Sequence, residues 1–488
     1  MPPVGPLRTF LFLALLAAVL FAGAAGCSRA GDGSIAVQLV YPPPDAASAA
    51  RASVRAASYA TDPADRIRIR VLAPHFAPIE KWFRRSDGHG EIGGIPPGTR
   101  ITVEVDEYDN TAIPSDNAVV AAPLLGRGWH NGITLSPGEV KTVPVAMYAM
   151  GTIVTICGAP ASVGGSGTAG DAGDGGLDNE ALLRNPRAVK AGPDDAIYVS
   201  TFTTAGYGRV RKIDRYGYVS HFAGSGAHGA ITPGALAASS PIDAVSDIDI
   251  DPAGNLYLFN DWNQIVRVDN GVVNSLVYDN GTPNASARFN LAAVNVDLLY
   301  FVNFHDPRVY RMIGTSKSDF VTDNLPYDTN EPISRTNYPL LAPSSITYVP
   351  KIESLVFADT DNNRIMRVSF LDGNIYYLVA DNGGAPFSEG VDPLAMAPSR
   401  PRVVEYNPIT GKIFFVEGLS DQVLYIDLAG QVRLFAGTGT PGFSGDGGPA
   451  TAAGLSDPRA IAVDSRGNAY IADYGNHAIR MVVGGALP

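Results

Sequence analysis

Cysteine is nearly absent from this 488-residue chain, with only Cys27 and Cys157. That scarcity excludes a disulfide scaffold and a cysteine-rich zinc site. Histidine is also sparse: none of His75, His89, His130, His221, His228, His305 and His477 pairs with another at metal-ligand spacing on one element. Neither Gly-x-Ser-x-Gly nor His-Glu-x-x-His occurs, so two common hydrolase signatures are missing. Positive charge is in deficit, 36 Lys and Arg against 48 Asp and Glu, for a net charge of −12. A surface of that sign repels phosphate backbones and argues against nucleic acid as a partner. Beyond residue 26 no apolar run is long enough to cross a bilayer as a helix.

The first 26 residues carry one charged side chain, Arg8, then a thirteen-residue apolar run from Phe10 to Ala22, then Ala24-Ala25-Gly26 before Cys27. The run is short of the roughly 20 residues a spanning helix needs and fits the core of an export signal. The small residues before Cys27 resemble the lipobox of bacterial lipoproteins, with Ala24 where leucine is usual. The resemblance implies a signal peptide over 1–26, a lipid on Cys27 and a tether over 27–33. With Ser28 next, it also implies sorting to the outer membrane of a Gram-negative cell envelope. The lipid would be the only membrane attachment. Cys157 lies in an apolar strand pattern and is expected as a buried free thiol.

Residues 34–148 show period-two alternation at Ser34 to Tyr41, at Ile67, Ile69 and Val71 between arginines, and at Ile101, Val103 and Val105. Gly93 to Thr99 reads as a turn, and 42–65, rich in Ala, Ser and Pro, as a loop or linker. Short strands with Gly/Pro turns predict a small antiparallel β-sandwich. The Gly94-Ile-Pro-Pro-Gly98 segment resembles Ig-like or prealbumin-like modules of bacterial surface proteins.

The remainder repeats. The stretch Asp457 to Arg480, DPRAIAVDSRGNAYIADYGNHAIR, has copies starting at Pro186, Pro241, Asn290, Pro343 and Pro401, spaced by 49 to 58 residues. Each copy holds three strands and most a fourth. The sixth ends near Val483 without one, while Thr152-Ile-Val-Thr-Ile-Cys-Gly reads like Gln431-Val-Arg-Leu-Phe-Ala-Gly. An early strand that completes the last blade would close the ring and remove its edges. The frame resembles the NHL repeat, which implies a six-bladed β-propeller over 151–488 and makes the whole chain all-β.

Two columns of the repeat carry charge. Thr201, Asn260, Asn303, Asp359, Glu417 and Asp473 end the second strands. They either cap the following turns or form an acidic ring that holds a cation or a basic ligand. His305 and His477 sit in the same second-to-third-strand turns, so the candidate binding face is Asn260, Asn303, His305, Asp359, Glu417, Asp473 and His477. The other column, Arg211, Arg267, Arg311, Arg367 and Arg480, is expected to pair with carboxylates. Gly170-Asp-Ala-Gly-Asp-Gly-Gly and Gly445-Asp-Gly-Gly-Pro-Ala precede repeats; without a lysine or a following helix they read as turn chemistry, not a phosphate loop.

No catalytic set converges in the sequence, so no catalytic residue and no cofactor is assigned. An axial or structural calcium or zinc ion stays open, as in the peptide-amidating lyase, a six-bladed propeller of NHL type with a histidine-held metal. Bacterial NHL propellers imply a membrane-anchored, extracytoplasmic module that binds a protein or small-molecule ligand in the cell envelope, more readily than an enzyme. The alternative is a metal-dependent lyase or lactonase of six-bladed type.

Overall fold

The computed structural model describes residues 33–40, 66–84, 90–108, 124–158, 169–279, 289–321, 333–334, 340–380 and 386–485, apart from 138, 204, 206 and 228. The expected signal segment, Cys27 and the 42–65 linker lie outside the described residues. No helix among those described is long and apolar enough to cross a membrane.

The leading strands hydrogen-bond into one seven-stranded sheet, ordered Phe76–Arg84, Arg66–Ala73, Arg100–Tyr108, Leu124–Thr134, Val140–Ala149, Gly33–Val40 and Gly90–Ile95. The sheet rolls around one core of Ile35, Ile67, Val71, Ile92, Val103 and Val145. Lys81 Nζ donates to Glu91 O at 3.2 Å, tying its two edge strands together. The arrangement is therefore a near-barrel, and hydrogen bonds do not divide it into the two sheets of a sandwich. The expected turn at Gly93 is a strand instead: Ile92 and Ile95 are fully buried, and only Pro97-Gly98 turns. Gly33–Val40 runs parallel to Val140–Ala149, so the sheet is not wholly antiparallel.

Six four-stranded blades follow, the fourth carrying an extra short strand. Their inner strands are Val189–Ala191, Val245–Ile250, Phe289–Asn295, Pro343–Val349, Pro401–Tyr406 and Pro458–Val463, here blades 1 to 6 in that order. Ile153–Cys157 pairs antiparallel with Ala478–Val482 and supplies the outer strand of blade 6. Cys157 is buried with a free thiol, and desolvation pushes that thiol up to about 12. Aromatic side chains of the second strands pack between sheets, with Tyr257, Phe357 and Phe414 fully buried.

Because strands alternate in direction, turns between first and second strands lie at one end of the propeller. Turns between second and third strands, with the connections between blades, lie at the other. The leading sheet docks on the first end, over blades 6 and 1. Arg466 Nη1 meets Glu104 Oε1 at 2.5 Å. Arg127 Nη1 donates to Asn468 Oδ1 at 3.1 Å, and Thr102 Oγ1 to Tyr216 O at 3.1 Å. Trp129 and Tyr148 pack against the propeller cluster that holds Val154 and Tyr470. Among the described residues, these contacts of the leading sheet fall at the first end.

Candidate functional site: the axial channel

The carboxylate ring comes out differently from its sharper reading. Asn260, Asp359 and Asp473 are completely buried and Glu417 nearly so. Asp359 Oδ1 accepts from Leu341 N at 2.7 Å, Glu417 Oε1 from Ser399 N at 3.0 Å, and Asp473 Oδ1 from Ser456 N at 2.7 Å. Each thus fastens the connection entering its own blade. Their second oxygens take Asn362 Nδ2, Ser420 Oγ and Asn476 Nδ2. Asn260 Oδ1 accepts from Trp262 N and Gln264 N, and Asn303 Oδ1 from His305 N. Turn amides, not an open patch, satisfy this ring. His305 is exposed. His477 occupies a left-handed position at φ 56°, its Nδ1 accepts from Asn185 N, and burial lowers its pKa. Among the described residues no three His, Cys, Asp or Glu side chains come together as metal ligands.

The arginine column and the glycine-rich connections explain one another. Arg211, 1% exposed, pairs with Asp174 at 2.8 Å and donates to Leu182 O. Arg480, 0% exposed, pairs with Asp446 at 2.8 Å and donates to Ser444 O and Gly454 O. The glycines allow close passage: a Cβ on Gly173 would stand 2.5 Å from Ala181 Cα, and one on Gly445 2.7 Å from Ala453 Cα. These loops are buried struts.

Open space lies at the axis instead. A channel with a cavity volume of about 70 Å³ is lined by residues from all six inner strands. Its levels follow from strand register. Arg402 and Arg459 each follow the proline that opens an inner strand, and Arg187 follows Pro186 just ahead of Val189–Ala191, at the end where Pro401 pairs with Glu417 and Pro458 with Asp473. The mouth is therefore at the end opposite the leading sheet. Asp247, Asn290 and Ser345 come next. They accept from Leu291 N, Ile346 N and Val404 N, each on the following blade's inner strand, a staircase of bonds between neighbours.

At the deepest lined level stand Lys190, Asp249, Thr347 and Glu405. Lys190 Nζ bridges Asp249 Oδ1 at 2.8 Å and Glu405 Oε1 at 2.7 Å, which ties blade 1 to blades 2 and 5 across the axis. Desolvation opposes the Lys190 charge, but the two carboxylates overcome it and raise its pKa. Desolvation pushes the Asp247 carboxyl well above its usual range and raises Glu405 too, against the pull of Lys190. Sequence reasoning overlooked these residues. Their signal was the Pro-Arg pair shared by Pro186-Arg187, Pro401-Arg402 and Pro458-Arg459, and the polar residues at one inner-strand position.

Comparison with known proteins supports the architecture. The NHL repeat family model matches residues 455–480, within blade 6. A Bacteroides thetaiotaomicron protein of unknown function aligns with a TM-score of 0.50 at 14% identity, covering 85% of this chain and 90% of its own. At that identity the likeness shows fold alone. An auxiliary nutrient binding protein from the same organism aligns at 0.48 and 15% identity, over 85% of this chain and 90% of that one. Virginiamycin B lyase from Staphylococcus aureus reaches 0.36 and 12%, over 61% and 94%. Neither of these two bears on what this chain does. No curated protein matches the sequence.

Proposed function

We propose that this chain is a non-enzymatic binding module of the bacterial cell envelope that captures a small-molecule ligand in the axial channel of its propeller. One observation carries the reading: a polar channel on the propeller axis, lined by residues of all six inner strands, with the Lys190 bridge at one end. Concave sites with a few fixed polar groups are where small ligands bind. In this reading residues 1–26 direct export, Cys27 carries the lipid, and the leading sheet is an Ig-like or prealbumin-like module. That module holds the propeller with its mouth turned away from the docking face. Outer-membrane sorting follows from the residues after Cys27 and belongs to the same proposal. No specific observation favours the metal-dependent lyase or lactonase.

The test is a thermal-shift screen with envelope-sized solutes: sugars, sugar acids, amino acids and dipeptides. A ligand of the native state raises Tm by mass action. The expected hit stabilises the natural protein and not Ala460→Phe, which fills the channel from blade 6. A hit that stabilises a folded Ala460→Phe equally places binding elsewhere.

A further inference from the structure

Three side chains at the mouth narrow the ligand's chemistry. Arg187, Arg402 and Arg459 belong to blades 1, 5 and 6, neighbours around the ring, and all line the channel. Two carboxylates stand beside them. Arg187 Nη1 meets Asp261 Oδ1 at 2.9 Å. Asp457 is shared, with Oδ1 2.8 Å from Arg402 Nη1 and Oδ2 2.6 Å from Arg459 Nη2. The three guanidinium groups stand beside Asp261 and Asp457, with Asp243 close to Asp261 and Asp421 Oδ1 accepting from Asp457 N, in a protein whose net charge is −12. The arginine side chains are 12%, 18% and 22% exposed, so they are held by pairing yet open to the channel. Arg459 is further fixed by the Tyr474 ring, 3.4 Å beneath its guanidinium carbon. Burial pushes the Asp261 carboxyl up to about 6, still below neutral pH, so it stays ionised against Arg187 there.

The floor has the opposite sign. Lys190 offsets one of Asp249 and Glu405 and leaves the other, so a second negative charge is repelled there. Building on the channel reading, we infer that the mouth is an oxyanion subsite: Arg187, Arg402 and Arg459 receive one carboxylate or phosphate group of a small ligand whose uncharged polar body lies in the channel. The planar guanidinium fork matches either group with two parallel hydrogen bonds, where lysine offers a point charge.

The test is calorimetric titration of the full chain with glucuronate, glucose 6-phosphate and glucose, which share a body and differ in charged group. The acids bind, glucose at least about tenfold more weakly, since hydrogen bonds to charged groups exceed that difference. Whichever acid is tighter identifies the group as carboxylate or phosphate. Arg402→Gln and Arg459→Gln each lower acid affinity about tenfold or more with Tm little changed, and Arg402→Lys restores only part of it. Equal affinity for glucose and both acids, or full acid affinity in a folded Arg459→Gln, overturns the subsite. So does failure of both acids to bind. If a neutral solute still binds and Ala460→Phe blocks it, the subsite alone has failed and the channel stands.

Discussion

The carboxylates that end the second strands and the arginines that follow Pro186, Pro401 and Pro458 occupy one end of the same propeller, yet they are spent differently. Asp359 and Asp473 are wholly buried, their oxygens taken by backbone and amide donors of the adjoining loops. Arg187, Arg402 and Arg459 pair with partly exposed carboxylates and line the channel. A charge repeated once per blade is therefore no sign of a site by itself. What matters is whether the loop that precedes the blade reaches it. Leu341, Ser399 and Ser456 reach the carboxylates and seal them, and the arginines lie inside that seal.

The contrast makes graded expectations. The largest effect belongs to Arg480→Met. Its removal strands Asp473 in the interior and frees the Gly445 connection, and removing one partner of a buried pair typically costs about 3–5 kcal/mol. Chemical denaturation measures it, and a loss below 1 kcal/mol would mean the ring is not sealed. Asp359→Asn, Glu417→Gln and Asp473→Asn should each cost about 1 kcal/mol, as a weakened cap does, with ligand binding per folded molecule unaltered. A loss of binding without a loss of stability would return the ring to candidacy as a site.

The pH dependence separates the two sets further. Burial raises the Asp473 carboxyl from 3.8 to about 6, despite its bond from Asn476. The folded chain then holds that proton more tightly than the unfolded one. The stability so contributed is complete below about pH 4 and is lost as pH rises through 6. Asp178, raised by desolvation to about 7 under the docked leading sheet, extends the fall to neutral pH. Asp473→Asn and Asp178→Asn should each flatten the Tm curve over its own window. An unchanged slope in both would show that these carboxyls titrate normally. The smallest stability effect belongs to Arg402→Gln, below about 1 kcal/mol, because a partly exposed ion pair adds little. A cost matching that of Arg480→Met would erase the distinction between structural and available arginines.

The repeat made the blades readable because period-two strands and fixed turn residues are local properties. The closing strand was readable for the same reason: Thr152 to Gly158 has the pattern of an outer strand, and it pairs as one. The leading sheet was less so. Phe76–Arg84 and Gly90–Ile95 lack clean alternation, and the single-sheet order rests on long-range pairing such as Ser34 with Val140. The ring of carboxylates could be located from sequence but not assigned. Its burial depends on amides 17 or 18 residues earlier in the chain. The mouth arginines follow Pro186, Pro401 and Pro458 alike in the sequence, and only closure of the ring brings blades 1, 5 and 6 side by side.

A crystal structure of the chain soaked with its tightest-binding solute is the most direct measurement of where the propeller takes its ligand. The expected density lies on the axis, between the guanidinium groups of Arg187, Arg402 and Arg459 and the Lys190 bridge. Density seated instead on the outer rim of the blades, with the axis holding only water, would contradict capture by the channel.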